Sequence, residues 1–351
     1  MSNSRQYIRQ SKSKMRRRRM FTLILLPILL LGFGLTSYGI FLYNKAESVM
    51  GDSYKPLDRD TSRVAAADTK VENTSILIIG VDDSATRGFS NSSRSDALMV
   101  ATFNEKAKSI KLLSIPRDSY VYVPKLGYKD KITHAHAYGG PATTIETVEG
   151  LLDIPIDFYV KVNFNAFIDI VDALGGIEVE VPYTFSEQNS KDEANAITLE
   201  EGLQQLDGEE ALALARTRKL DSDIERGKRQ QEILKSIISK SISASSFTKY
   251  ANVIEAVGAN METDLSFNQM KSFFNYATAG TSLDIENLNL KGQDLWLPNS
   301  NGNRIYYYEI DEPNLIEIKS TLKAHLELGT SSYGQTDDDD DNVLTEQAYG
   351  E

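Results

Sequence analysis

The 351-residue chain contains no cysteine, which rules out disulfide cross-links, thiolate zinc sites and a cysteine nucleophile. It holds only three histidines, and the two in His134-Ala135-His136 are far in sequence from His325, so packing or loop roles fit them better than a three-histidine metal site. There is no Walker A loop, no Gly-x-Ser-x-Gly and no Ser-His-Asp arrangement. Basic residues are also scarce outside one end. Eight of the 38 Lys and Arg lie in the first 20 positions, leaving 30 against 50 acids and a formal charge of −20 for the remainder. Such a surface repels nucleic acid and anionic lipid, so nucleic acid is excluded as a partner and any phosphate site must be a local cluster of arginines.

The first segment present is the basic tail itself, residues 1–19, ending in Arg16 to Arg19. A charge-free run of 24 residues, Met20 to Tyr43, follows. As a helix it would reach about 36 Å, enough to cross a hydrocarbon core of about 30 Å, and it reads as an uncleaved membrane anchor. A cleaved signal peptide has a shorter apolar region and a small-residue cleavage site, which Asn44-Lys45-Ala46-Glu47 does not supply. The basic flank keeps the amino terminus cytoplasmic, placing the rest of the chain outside the cell membrane as a single-pass protein. Residues 44–74 are polar and weakly periodic and read as a stalk, spanning roughly 30 Å if coiled. Residues 329–351, with five successive Asp from Asp337 to Asp341, read as a solvated acidic tail.

Between these, residues 75–328 carry the folded domain. Short β-branched runs predict strands at Ile76–Val81, Ala97–Phe103, Ser109–Ile115, Phe158–Val162, Ile177–Val181, Asp294–Pro298 and Arg304–Ile310. Helical periodicity predicts Thr143–Leu152, Phe164–Leu174, Gly208–Ala215, Ile224–Ser241 and Phe267–Ala277, with a last helix after Pro313 ending near Leu328. The irregular alternation favours an α/β fold with a mixed sheet covered by helices on both faces.

The stretch Ala215 to Gln231 concentrates four of the ten arginines found beyond residue 20. Arg216 and Arg218 share a face if extended, and Arg226 and Gln230 share one if helical. Planar guanidinium forks held from two sides suit phosphate or pyrophosphate. Asp223 is a candidate N-cap for the helix that carries Arg226, and a helix start also favours an anion. Three strand ends add Asp82, the pair Arg94 and Asp96, and the pair Arg117 and Asp118, at positions where α/β sheets place their sites. Each alone fits a turn former or a surface ion pair. Carboxylates beside a pyrophosphate imply a divalent cation between them, and Mg²⁺ suits one or two carboxylates plus phosphate oxygens. Lys131 is a further candidate contact.

In order and spacing, Gly80-Val81-Asp82, Arg94-Ser95-Asp96, Ile115-Pro116-Arg117-Asp118, Lys131 with the following His-Ala-x-Ala-Tyr-Gly-Gly, Gly175-Gly176-Ile177-Glu178-Val179 and the Arg216 to Gln231 block resemble the LytR-CpsA-Psr family. The resemblance is strong over residues 75 to 240 and weaker to 328. It implies a mixed sheet between helical layers with an apolar lipid pocket, in a membrane protein of a Gram-positive bacterium. It also implies transfer of an anionic glycopolymer, wall teichoic acid or capsular polysaccharide, from a polyprenyl pyrophosphate carrier to peptidoglycan. By motif, Asp82 and Asp96 would hold Mg²⁺, with Asp82 rather than Asp83 taken as the ligand. Arg94, Arg117, Arg216, Arg218, Arg226 and Gln230 would hold the pyrophosphate, with Lys131 beside them. Asp82, Asp96, Arg94 and Arg117 would form the catalytic set, with no residue standing out as general base. Two other readings stay open: a hydrolase cleaving the same pyrophosphate with water, and a non-catalytic lipid-binding regulator. Against transcriptional control stands a cytoplasmic part too short for a helix-turn-helix.

Overall fold

A computed structural model of the chain describes residues 37–41, 43–45, 47–49, 51–59, 73–82, 93–219, 222–242, 260–278, 283–299 and 301–328. The basic tail, the acidic tail and most of the Met20–Tyr43 span lie outside these residues. Among the described residues no helix is long and apolar enough to cross a membrane.

The centre is a mixed six-stranded sheet built from β1 (Thr74–Val81), β2 (Ser95–Asn104), β3 (Ser109–Ser114), β6 (Phe158–Asn163), β11 (Met261–Thr263) and β12 (Asp284–Asn289), in the order β11-β6-β1-β2-β3-β12. Strands β1 and β6 run parallel, as do β3 and β12, while β1–β2, β2–β3 and β6–β11 are antiparallel. Two-stranded ribbons join β4 (Tyr120–Val123) to β5 (Tyr128–Lys131), β7 (Ile177–Val181) to β10 (Gly202–Leu206), β8 (Phe185–Glu187) to β9 (Ile197–Leu199) and β13 (Gly292–Pro298) to β14 (Arg304–Ile310). The helices are α1 (Ile132–Leu152), α2 (Phe164–Ala173), α3 (Gly208–Arg216), α4 (Asp223–Ser241), α5 (Phe267–Thr278) and α6 (Glu312–His325).

Strand alternation sorts the sheet into two unlike faces. Leu77, Ile79 and Val81 of β1 join Leu98 and Val100 of β2 and Leu113 of β3 in a dry core. Ile132, Ile145 and Val148 of α1 and Leu315, Ile318 and Leu322 of α6 close it. The opposite positions, Ile76, Ile78, Met99 and Phe103, look toward α2, α3 and α4 across a cavity. Behind those helices a second core gathers Val171, Ile177, Val179, Leu206 and Ile233.

Helix α1 begins eleven residues ahead of the predicted start at Thr143 and is broken within. Gly139 and Gly140 leave helical geometry, Gly140 at a φ of 63° that a side chain resists, and Pro141 restarts the turn. The Gly-Gly-Pro punctuation hid the first half, which carries Thr133 and His136.

The stalk reading needs correcting in part. Ser53 is buried, Lys55 N–H donates to the Thr263 carbonyl at 2.7 Å, and Leu57 packs against the core. Arg59 donates to the carbonyls of Ile156 (2.7 Å) and Asp157 (3.1 Å) and pairs with Asp264 at 2.8 Å. Residues 53–59 are therefore a strap on the domain, held by one arginine satisfying two loop carbonyls and a carboxylate.

Candidate functional site

A cavity of about 860 Å³ separates the sheet from α2, α3 and α4. Much of its lining is apolar, from Ile76, Ile78, Met99 and Phe103 of the sheet with Phe167, Ile233, Leu234 and Ile237 of the helices. Charged groups also line it: Asp82, Asp96, Glu187, Asp192, Arg117, Arg216, Arg218, Lys219 and Arg226, with Gln230.

Each charged group is placed by a local feature. Strands β1 and β2 pair Gly80 with Ala97 but Val81 with Ser95, so Asp96 is the extra residue of a β-bulge. A bulge re-aims a side chain. Here it puts Asp96 in the cavity lining beside Ala97, where strict alternation would send the two to opposite faces. Arg117 sits in a turn fixed by Ser119, whose N–H and Oγ both bond the Pro116 carbonyl, at 3.0 and 2.6 Å. Ile132 N–H and Thr133 N–H of α1 hold the carbonyls of Ser119 and Arg117. From there Arg117 Nη1 donates to Asp96 Oδ1 at 2.6 Å.

Arg226 comes from the first turns of α4. A Cβ on the neighbouring Gly227 would lie 2.5 Å from Ser114 Oγ, so only glycine lets the helix approach β3 this closely. One turn on, buried Gln231 donates to the carbonyls of Leu112 (2.8 Å) and Leu288 (2.7 Å), fastening α4 to β3 and the end of β12. Arg226 is buried, pairs with Asp223 at 3.2 Å and lies 3.5 Å from the Asp96 carbonyl. Burial lowers its pKa, offset in part by Asp223. Its Nε and that of Arg117 are buried with no hydrogen-bond partner among the described residues.

Asp118 is a structural partner of this cluster. Lys131 Nζ lies 2.7 Å from one of its oxygens and Arg117 Nε 3.7 Å from the other. Burial would raise the Asp118 carboxyl, but the Lys131 bond and the nearby charges outweigh it and hold it below the usual carboxylate range. Such a group accepts a proton poorly.

The predicted contacts do not all converge. Arg117, Arg216, Arg218, Arg226, Gln230, Asp82 and Asp96 line one cavity. Arg216 is half-buried against Phe164, its guanidinium 5.6 Å from the ring centre, and Arg218 is exposed, 3.7 Å from Asp223. Gln230 also donates to the Ala215 carbonyl at 3.0 Å, closing the end of α3. Arg94 is exposed ahead of β2 and is not among the lining residues, and Lys131 reaches the cluster through Asp118. The α4 N-cap is Ser222, whose side chain accepts from Glu225 N–H; Asp223 is the first helical residue.

Arg229 is buried and bonds the carbonyls of Leu214 (3.2 Å) and Thr217 (2.5 Å), so it stabilises the C-terminal end of α3. His136 is fully buried with Nδ1 2.6 Å from the Ser93 carbonyl, while His134 pairs with Asp130 at 2.8 Å. The residues missed from sequence are Gly227, Gln231 and Asp118 as a partner. The close spacing of Gly227 and Gln231 on one helix was the available signal.

Among the described residues no cluster of three or more Asp, Glu or His is placed to hold a metal. Of the four carboxylates that line the cavity, Asp82 and Asp96 lie at the neighbouring ends of β1 and β2, and such a pair beside arginines fits a cation whose remaining ligands are phosphate oxygens and water, not an all-protein cage.

A model of the LytR_cpsA_psr family matches residues 40–324. An uncharacterized protein of Staphylococcus aureus is 42% identical over 259 residues, covering 72% of this chain; the chain spans 62% of that protein's length. The Bacillus subtilis polyisoprenyl-teichoic acid–peptidoglycan teichoic acid transferase TagT is 39% identical over 295 residues, covering 83% of this chain and 89% of TagT. A solved structure of TagT with bound octaprenyl pyrophosphate lipid aligns with a TM-score of 0.58 at 34% identity, over 79% of this chain and 97% of that one.

Proposed function

The chain belongs to the LytR-CpsA-Psr family, and from that premise we propose that it transfers an anionic glycopolymer, wall teichoic acid or capsular polysaccharide, from a polyprenyl pyrophosphate carrier to peptidoglycan. The observation that carries this is that one cavity is apolar along the strands, at Ile76, Ile78, Met99 and Phe103, and charged where β1 and β2 meet Asp82 and Asp96, with Arg117, Arg216, Arg218 and Arg226 in the same lining. A ligand with a hydrocarbon chain and a pyrophosphate head matches both parts, and the named activity and lipid of the TagT relatives support the match.

In this reading the polyprenyl chain lies against Ile78, Met99, Phe103 and Ile237, and the pyrophosphate meets Arg117, Arg226, Arg216 and Arg218. Arg94, exposed two residues before Asp96, and Lys131, through Asp118, would act from outside the lining. A sugar hydroxyl of peptidoglycan attacks the sugar-linked phosphorus; a new P–O bond forms, the bridging P–O bond breaks, polyprenyl phosphate leaves, and the hydroxyl proton passes to solvent. The arginines stabilise negative charge as it shifts toward the leaving phosphate, which preorganised donors in a partly dry site do without reorganising. Asp82 and Asp96 would hold Mg²⁺, which when bound supplies further charge neutralisation at the pyrophosphate. Asp96 has a second task, since its carboxylate orients the Arg117 fork.

The anchor reading of Met20–Tyr43 would place this domain outside the cytoplasmic membrane, next to both lipid carrier and wall. Protease added to intact protoplasts should then digest residues 75–328, and protection of that region would reverse the topology.

The activity is tested by incubating the full chain in detergent with a lipid-linked polymer analogue, Mg²⁺ and peptidoglycan oligomers, followed by mass analysis. A polymer–phosphate–glycan conjugate is expected. Release of free phosphorylated polymer without dependence on the oligomer would mean hydrolysis instead. Asp82→Ala and Asp96→Ala should each abolish the Mg²⁺-dependent part of turnover and leave the domain folded; normal turnover of both in chelator would remove the metal from the scheme.

A further inference from the structure

The β13–β14 hairpin presents a face that the cavity does not explain. Trp296 and Tyr306 are cross-strand partners whose rings meet edge to face at 5.3 Å. Trp296, the only tryptophan in the chain, is 48% exposed. Arg304 lies over the indole at 5.8 Å, and the Tyr306 hydroxyl bonds Asp294 at 3.1 Å. The opposite face of the hairpin is accounted for, with Tyr307 packed on Tyr120 at 4.8 Å. A half-exposed indole backed by a partly buried phenol and edged by a carboxylate and a guanidinium offers a binding surface.

This surface adjoins the phosphate cluster. Tyr308 N–H donates to the Asp118 carbonyl at 2.8 Å, tying β14 to the turn that carries Arg117. Lys131, bonded to Asp118, lies 5.8 Å from the centre of the Tyr306 ring. Asp118 and Asp223 lie close enough to Tyr306 to help raise its hydroxyl pKa, after burial and the bond to Asp294.

We infer that the Trp296–Tyr306 face is a saccharide platform that seats the peptidoglycan acceptor strand, presenting a sugar hydroxyl toward the Arg117–Arg226 site. A pyranose ring has an apolar C–H face that stacks on indole or phenol, and hydroxyls at its rim that Asp294 and Arg304 can bond. Asp294 and Arg304 edge the rings with one charge of each sign, a balanced rim that suits a polyhydroxyl glycan strand better than a densely anionic polymer or lipid surface. The inference rests on the transfer reading above, and it adds which surface recognises the acceptor.

The test separates the two. With the full chain reconstituted in phosphatidylcholine vesicles, peptidoglycan oligomers should change the emission of Trp296 saturably in the absence of any donor, and Tyr306→Ala should weaken that response. In the transfer assay, Trp296→Ala should raise the acceptor KM about tenfold, with Trp296→Phe recovering part of it and the affinity for octaprenyl pyrophosphate unchanged. Saturable binding without transfer would leave the platform standing and overturn the transfer reading alone. Emission that ignores oligomers, or follows the phosphatidylglycerol content of the vesicles instead, would overturn the platform.

Discussion

The two faces of the central sheet are made by the same strands and do opposite things. On one, Leu77, Ile79, Leu98 and Leu113 are sealed by α1 and α6. On the other, Ile76, Ile78, Met99 and Phe103 border a cavity of about 860 Å³. Both faces are apolar, so hydrophobicity alone does not tell core from pocket. What differs is the covering. Helices α1 and α6 lay apolar side chains on their face, whereas α4 is held by Gln231 and Gly227 at one place and leaves a space beside it.

The largest expected contrast is in stability. Leu77→Ala empties a filled site and should cost about 2–5 kcal/mol, while Ile78→Ala, one residue on and half-buried between the cavity and two small apolar clusters, should cost clearly less. Denaturant unfolding of the two variants measures it, and equal losses would mean the cavity face is as tightly packed as the core.

Acid should act on the packed face next. His325 of α6 bonds Thr102 Oγ1 of β2 at 2.8 Å and Ser109 Oγ at 2.9 Å, and burial pushes its imidazole down to about 4. The unfolded chain, with a value near 6.5, therefore binds the proton first. The stability held above pH 6.5 should fall as pH drops toward 4, by at most about 3 kcal/mol. A His325→Gln variant should lose much of that slope in denaturant unfolding measured across the window.

The arginines sharpen the contrast between site and scaffold within one helix. Arg226→Ala should slow transfer about ten- to a hundredfold, the equivalent of roughly 1.5–3 kcal/mol for a lost charge-assisted contact. Arg229→Ala should instead lower stability by about 1–3 kcal/mol, because it strands the Leu214 and Thr217 carbonyls. Exposed Lys228, paired only with Glu225 among the described residues, should change either quantity by no more than about 0.5 kcal/mol when replaced by Ala. Parallel kinetics and unfolding of the three variants separate these outcomes.

Much of the fold was legible because burial imposes period. The strand at Ile177–Val181 and the helix starting at Phe164 fall where alternation and helical spacing put them. The β4–β5 hairpin escaped because Tyr-Val-Tyr-Val is short and its partner Tyr-Lys-Asp-Lys is polar. The arginine block and the three strand ends marked the site region, but its geometry depends on features without a sequence period. The bulge at Asp96 reverses the face that alternation assigns, and it separates Asp96 from Arg94, which an extended reading pairs. Helical spacing sets Arg229 about 100° away from Gln230, off the ligand face, but its structural task was hidden because the carbonyls it holds belong to the end of a different helix.

The most direct measurement is the affinity of the full chain for octaprenyl pyrophosphate, for inorganic pyrophosphate and for octaprenyl alcohol, in the unchanged protein and in Arg226→Ala. If one cavity holds both parts of the ligand, octaprenyl pyrophosphate should bind far more tightly than either fragment, and Arg226→Ala should erase about ten- to a hundredfold of that affinity while leaving the alcohol unaffected. Inorganic pyrophosphate binding as tightly as the complete lipid, or an Arg226→Ala protein with undiminished affinity, would contradict the account.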